Sequence, residues 1–202
     1  MFEHIVAWSL VMIPLMYSPG PTNILVASNG ASFGLRRSMP LIAGINLGLV
    51  LQLILIAFGI AHLFERYHVL FYVLYFSGVI YMFYLASVFF FSKVNEKKID
   101  NARIDCASMM QGVLVEILNP KVWLSLIMLF SVFSKPQADS SWLILLFVSA
   151  TLVLNLINNF LWSFLGVFLV KTIFVGSFSK VQNYFYGILL AAVAVWMLLS
   201  GV

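Results

Sequence analysis

Long apolar runs separated by short polar clusters make up almost the whole chain. Counting stretches of about 20 apolar residues predicts six membrane-crossing helices, near 5–26, 41–63, 69–92, 110–133, 142–169 and 183–201. The fourth stretch is the least regular, because Glu116 and Lys121 interrupt it. If it failed to cross, everything after it would be inverted. The first stretch holds its own anomaly, MYSPGPTNI from Met16 to Ile24, with Pro19, Gly20 and Pro21 in a row. Proline lacks an N–H and clashes with the preceding turn, and glycine weakens a helix, so the pattern predicts a broken span.

The polar clusters set the orientation. Arg36 and Arg37 follow the first run, Lys93, Lys97, Lys98 and Arg103 follow the third, and Lys171 and Lys180 follow the fifth. The opposite side carries only Arg66 and Lys135. Basic residues collect on the cytoplasmic side, so both termini are expected outside. The stretch from Ser92 to Ser108 is the one sizeable polar segment and reads as a cytoplasmic connector, 93–109, inside a single domain over 1–202.

Composition narrows the class. The chain of 202 residues is 63% hydrophobic and 9% charged, whereas a soluble domain carries about a quarter charged residues. So much apolar surface cannot be hidden in one small globule, so the expected fold is all-α, a polytopic membrane protein. The net charge of +4 is spread between apolar runs and does not point to nucleic acid. The N-terminus lacks the basic region and small-residue site of a cleaved leader, so the first run is expected to stay as a span. Cys106 is the single cysteine, which rules out an internal disulfide. Three scattered histidines make no metal set, and no cofactor is expected. There is no Walker A sequence, serine elbow or HExxH, so neither direct ATP use nor an enzyme is indicated.

The connector divides the chain into about 1–92 and 110–202, with three predicted spans on each side. An odd number per half makes equivalent helices run in opposite directions, as in transporters built from inverted repeats. SPGPTNILV in the first span faces ILNPKVWLS in the fourth, and LYFSGVIYM in the third faces NYFYGILLA in the sixth. Gln52 precedes Gly59 by seven residues, as Asn159 precedes Gly166. Paired Gly/Pro interruptions in two halves mark a transporter's binding site. A broken helix frees N–H groups that attract carboxylates and carbonyls that attract ammonium groups, a match for a zwitterion.

These segments resemble the LysE/RhtB family of bacterial amino-acid exporters. In SPGPTNILVASNGASFGLRRSMPLIAGINLG, a Pro-Gly-Pro break precedes paired glycines (Gly30 and Gly34), a basic turn, and a second pair (Gly44 and Gly48). GVLVEILNPKVWL carries a second hallmark, Asn119-Pro120-Lys121. The resemblance spans the chain. It implies a small inner-membrane secondary transporter or antiporter exporting amino acids or close derivatives, driven by protons and acting as an oligomer. The chain departs from the family pattern at Leu49, where an acid is common, and at Asn155, Asn158 and Asn159, where an aspartate is common. Glu116 stands where the family commonly has asparagine, and the Pro-Gln-Phe after the fourth span is missing.

Candidate pathway residues follow from these patterns. Glu116 and Lys121 are the only formally charged residues in the predicted spans, and a charge at the bilayer centre costs about 2.5–3.5 kcal/mol on insertion scales. Lys121 would hold a carboxylate, and Glu116 an ammonium group or a proton; the alternative is an ion pair at the membrane edge. Pro19, Gly20, Pro21, Thr22 and Asn23 form the first break, with Asn119 and Pro120 at the second. Asn155 and Asn159 share a helix face, and Asn46 and Gln52 are their counterparts in the second span. These amides would line a path or bond helices together. His62 is expected at a membrane edge, His4 and His68 in solvent, and Trp8, Trp142 and Trp196 in interfacial belts. The competing classes are an exporter of another solute or a cation, an intramembrane enzyme, and a non-transporting membrane subunit.

Overall fold

Eight helices account for nearly all of the described chain, which in this computed structural model comprises residues 2–91, 106–133, 140–172 and 179–200. No strand occurs among the described residues. Most of the connector, 93–105, and Lys135 lie outside them.

The first helix, α1 (Phe2–Tyr17), stops before the Ser18–Gly20 break, and Pro21 opens α2 (Pro21–Ala57) at its first turn. Proline fits there because the first N–H groups of a helix lack intrahelical partners. The 27–40 segment was expected as a loop carrying Arg36 and Arg37. It is instead helical, and the turn is made at one residue, Gly34, with φ 79° and ψ 167°. That conformation is essentially reserved for glycine, so one residue turns the chain where a loop was expected.

The second predicted span ends early, at Ala57; Gly59, at φ 89°, starts the short α3 (Ile60–Arg66). The third, fifth and sixth correspond to α4 (His68–Phe91), α7 (Ser140–Thr172) and α8 (Ser179–Ser200). The fourth is two short helices, α5 (Met109–Ile117) and α6 (Pro120–Phe133). Among the described residues, three helical stretches are long and apolar enough to cross a membrane, Pro21–Ala57, which is kinked at Gly34, His68–Phe91 and Leu145–Leu169. Large apolar side chains on α4 (Val73, Ile80) and α7 (Phe164, Phe168) face outward, as lipid contact requires.

α2 is the centre of the packing. Its Leu41, Ile42, Ile45 and Leu49 are buried with Val115 of α5, Phe147 of α7, and Tyr186 and Leu190 of α8. α2 and α5 touch backbone to backbone: a Cβ on Gly44 would strike the Met109 carbonyl, and one on Gly112 the Leu41 carbonyl. Small residues allow such close approach between membrane helices. α5 itself begins with a capping box, in which the Ser108 hydroxyl accepts from the Gln111 N–H while the Gln111 side chain accepts from the Ser108 N–H. At the far side of the bundle, the Tyr75 hydroxyl of α4 donates to the Met197 carbonyl of α8. Trp8 departs from its expected belt position: it is buried, with its ring 5.4 Å from Phe147, whereas Trp142 and Trp196 are exposed. His62 is exposed beside Glu65, and His68 is exposed at the start of α4.

Candidate functional site

The two breaks meet. The first, at Ser18–Gly20, frees carbonyls at the end of α1, and two side chains from elsewhere take them. The Asn23 amide donates to the carbonyls of Met16 and Ser18, both at 2.9 Å, and Lys121 Nζ donates to the Ser18 carbonyl at 3.2 Å and its hydroxyl at 2.7 Å. An ammonium group at a helix C-terminus also opposes the negative end of the helix dipole.

The second break, at Leu118–Asn119, is served the same way. Gln52 donates to the Glu116 carbonyl at 3.1 Å, and the Trp123 indole N–H donates to the Ile117 carbonyl at 2.7 Å. Asn119 Oδ1 accepts from the Lys121 N–H, which caps the start of α6. Each break is therefore closed by groups that fold back from another helix or from the segment beyond it. This answers the accounting that a lipid environment imposes on free backbone groups.

Side chains link the breaks directly. Asn119 Nδ2 donates to the Thr22 hydroxyl at 3.0 Å, and that hydroxyl donates to Glu116 Oε2 at 2.9 Å. Glu116 is 1% exposed, so its carboxyl group is held inside the bundle by a chain of neutral donors. Gly48 sits against its Cβ, leaving it little room to turn. Lys121 and Glu116 are not an ion pair; among the described residues the one pair within bonding reach is His62–Glu65, at 3.4 Å.

A cavity of about 50 Å³ lies between the breaks, lined by Gly20, Thr22, Asn23, Glu116, Asn119 and Lys121, with Asn155 and Asn158 of α7 opposite. Asn158 Nδ2 donates to Asn23 Oδ1 at 2.8 Å, which ties α7 to the first break. A second, largely apolar cavity of about 390 Å³ adjoins it across Gly20, Asn119 and Lys121, and takes in Pro19, Pro21 and Pro120. An ammonium group, a carboxyl group and several amides thus converge on one small space at the junction of two interrupted helices.

The profile of the LysE type translocators matches residues 13–201, nearly the whole chain. The chain belongs to this family. As a LysE-type protein it is a multi-pass membrane translocator and not an enzyme. It is similar to the cysteine/O-acetylserine efflux proteins of Escherichia coli and of Shigella flexneri serotype 5b, in each case 27% identical over 163 residues, 79% of this chain and 80% of the relative. It is also similar to an uncharacterized membrane protein of Vibrio cholerae serotype O1, 26% identical over 135 residues, 66% of each chain. No solved structure matches it.

Seven of the sequence-derived candidates in this LysE-type chain wall the small cavity, Gly20, Thr22, Asn23, Glu116, Asn119, Lys121 and Asn155, and two more touch a wall residue: Asn46, whose Oδ1 accepts from Asn155 at 3.4 Å, and Gln52 through Glu116. The three prolines shape the breaks, and Gln52 supports the second from beneath. Asn159 stands apart, fully buried and outside the cavity wall. Ser18, Ser125 and Thr151 also belong to the site and were missed. Thr151 was legible, since Thr151, Asn155 and Asn158 fall at helical spacing on one face. Ser18 and Ser125 carry no such signal.

Proposed function

We propose that this translocator exports an amino acid or a close derivative across the bacterial inner membrane, with a proton gradient driving it. The observation that carries the reading is the pairing of Lys121 and Glu116 on one small cavity without an ion pair between them. An ammonium group has three protons, and Ser18 accepts two of those of Lys121, so one is left for a carboxylate. Glu116, across the same space, faces an amine. The efflux proteins it resembles are named for cysteine and O-acetylserine, both α-amino acids.

The breaks also support a division of the chain into inverted repeats, 1–92 and 110–202, that form six spans, with α1 and the first part of α2 matching α5 and α6. Arg36 and Arg37 would then mark the cytoplasmic end, and both termini would lie outside. Self-assembly is part of the same reading, by family resemblance alone.

The test is growth of a host, with and without overproduction, on inhibitory levels of single amino acids and dipeptides. Protection against one or two compounds that is lost in Lys121→Ala at normal membrane abundance is the expected result. Absence of protection against every compound, with the protein well inserted, would overturn the amino-acid cargo.

A further inference from the structure

Among the described residues, the lining of the cavity between the breaks extends to one side of them. Its walls reach Met12 of α1, Leu126 of α6 and Thr151 of α7, all on one side of the breaks. On the other side, toward Arg36 and Arg37, the helices close on each other at glycines. A Cβ on Gly30 would strike the Ser163 carbonyl, one on Gly166 would strike the Ala27 carbonyl, and Gly44 and Gly112 make the matching contact between α2 and α5.

A polar latch covers the same end. Asn29, buried at 4% exposure, donates to Ser38 Oγ at 2.9 Å and accepts from the Ala107 N–H at 3.0 Å. The Cys106 thiol donates to the Arg37 carbonyl at 2.7 Å, so the segment before α5 is fastened to the α2 elbow.

Inside this seal lie polar atoms with no partner. Asn159 and Ser163 are both 0% exposed; Asn159 Oδ1 and Nδ2 and Ser163 Oγ make no hydrogen bond, nor does the neighbouring Asn158 Oδ1. They continue the Thr151–Asn155 face of α7 one and two turns deeper, and Ser163 lies roughly 12 Å along the helix from Asn155. Buried polar groups are normally paired, and an unpaired one costs about 1–3 kcal/mol. A purely packing role for these positions is better served by leucine or alanine.

We propose that Asn159 and Ser163 form the sealed half of the cargo path, wetted and in contact with cargo when the first segment of α2 parts from α7. Resting on the exporter reading, this assigns the structure to the state closed at the Arg36–Arg37 end. The small glycine contacts make the seal tight yet give it no interlocking side chains to pull apart.

Thiol labelling tests the path without knowing the cargo. In a Cys106→Ser background, Ser163→Cys is treated in inside-out vesicles with a charged methanethiosulfonate. Labelling is expected to be slow, and about tenfold or more faster when Gly30→Ala wedges the seal, because the open form is otherwise a minor state. Equal rates with and without Gly30→Ala would overturn the proposal. As a second arm, Asn159→Leu is expected to match or exceed the parent in thermal stability while losing export of whichever compound the growth test identifies; unchanged export would overturn it. The expected labelling without protection by any amino acid would sink the cargo reading and leave the path standing.

Discussion

The Thr22 hydroxyl donates to Glu116 Oε2 at 2.9 Å, although the two residues are 94 positions apart in the chain. One stands two residues after the first helix break and the other two before the second. Their bond joins the two halves at the point where both backbones are open, so the carboxyl group is positioned by the same contact that closes the site. Glu116→Gln preserves the shape and removes the charge. Hydrogen bonds to charged groups contribute about 1.5–3 kcal/mol, so a roughly 10- to 100-fold loss of export is expected at unchanged membrane abundance. Efflux assays on matched protein levels check this; full export by the variant would exclude Glu116 from the cargo site.

Gly20 lies beside the Lys121 ammonium. Its φ of −162° is open to any residue, and an added Cβ would lie 3.4 Å from Lys121 Nζ, an ordinary contact. Gly20→Ala is therefore expected to insert normally and to weaken export by crowding the carboxylate's place, and Gly20→Val to weaken it further. Growth protection alongside an immunoblot of membranes separates the two effects. A graded fall in abundance instead would make Gly20 a folding position.

Two other glycines should fail for different reasons. Gly112→Leu drives a side chain into the Leu41 carbonyl, a backbone atom that cannot yield, and should cost at least the about 1–3 kcal/mol typical of overpacking. Gly34→Ala meets nothing within 4 Å, so its cost is conformational, about 1–3 kcal/mol for a region essentially limited to glycine. Thermal unfolding in detergent should show both losses. A compensating truncation of Leu41 cannot rescue Gly112→Leu, because the clash is with the main chain.

Ser108 caps α5 through its side chain. Ser108→Ala should lower stability by about 1 kcal/mol, and Ser108→Asp, which can accept the same N–H, should restore most of it. The same thermal assay decides. Equal midpoints for all three would show that the latch at Asn29, rather than the cap, holds the start of α5.

Much of the site could be read from residue types alone. The Pro-Gly-Pro run at 19–21 and the Asn-Pro pair at 119–120 point to breaks, although single prolines at 14 and 40 sit inside helices, and a lysine and a glutamate inside apolar runs need a polar space. Burial and partners could not be read that way. Asn155 and Asn159 look equivalent on a helical wheel, yet one walls the cavity and the other is sealed beneath it. Trp8, by composition an interfacial residue, is packed on Phe147 because α1 lies against α7 at that point. Gly34 read as half of a spacing motif; its work is to turn the chain.

The chain's own order of residues determined the all-helical membrane class and the two proline breaks, but not the turn at Gly34 or the early end of α2 before Gly59. The class and the breaks depend on local chemistry: apolar length against bilayer thickness, and the missing N–H of proline. Only the tertiary structure decided that the breaks face each other, that Thr22 and Asn119 bridge them to Glu116, and that glycines close one end. Those contacts join residues about a hundred positions apart, and their geometry comes from how closely the helices approach, which no local pattern encodes.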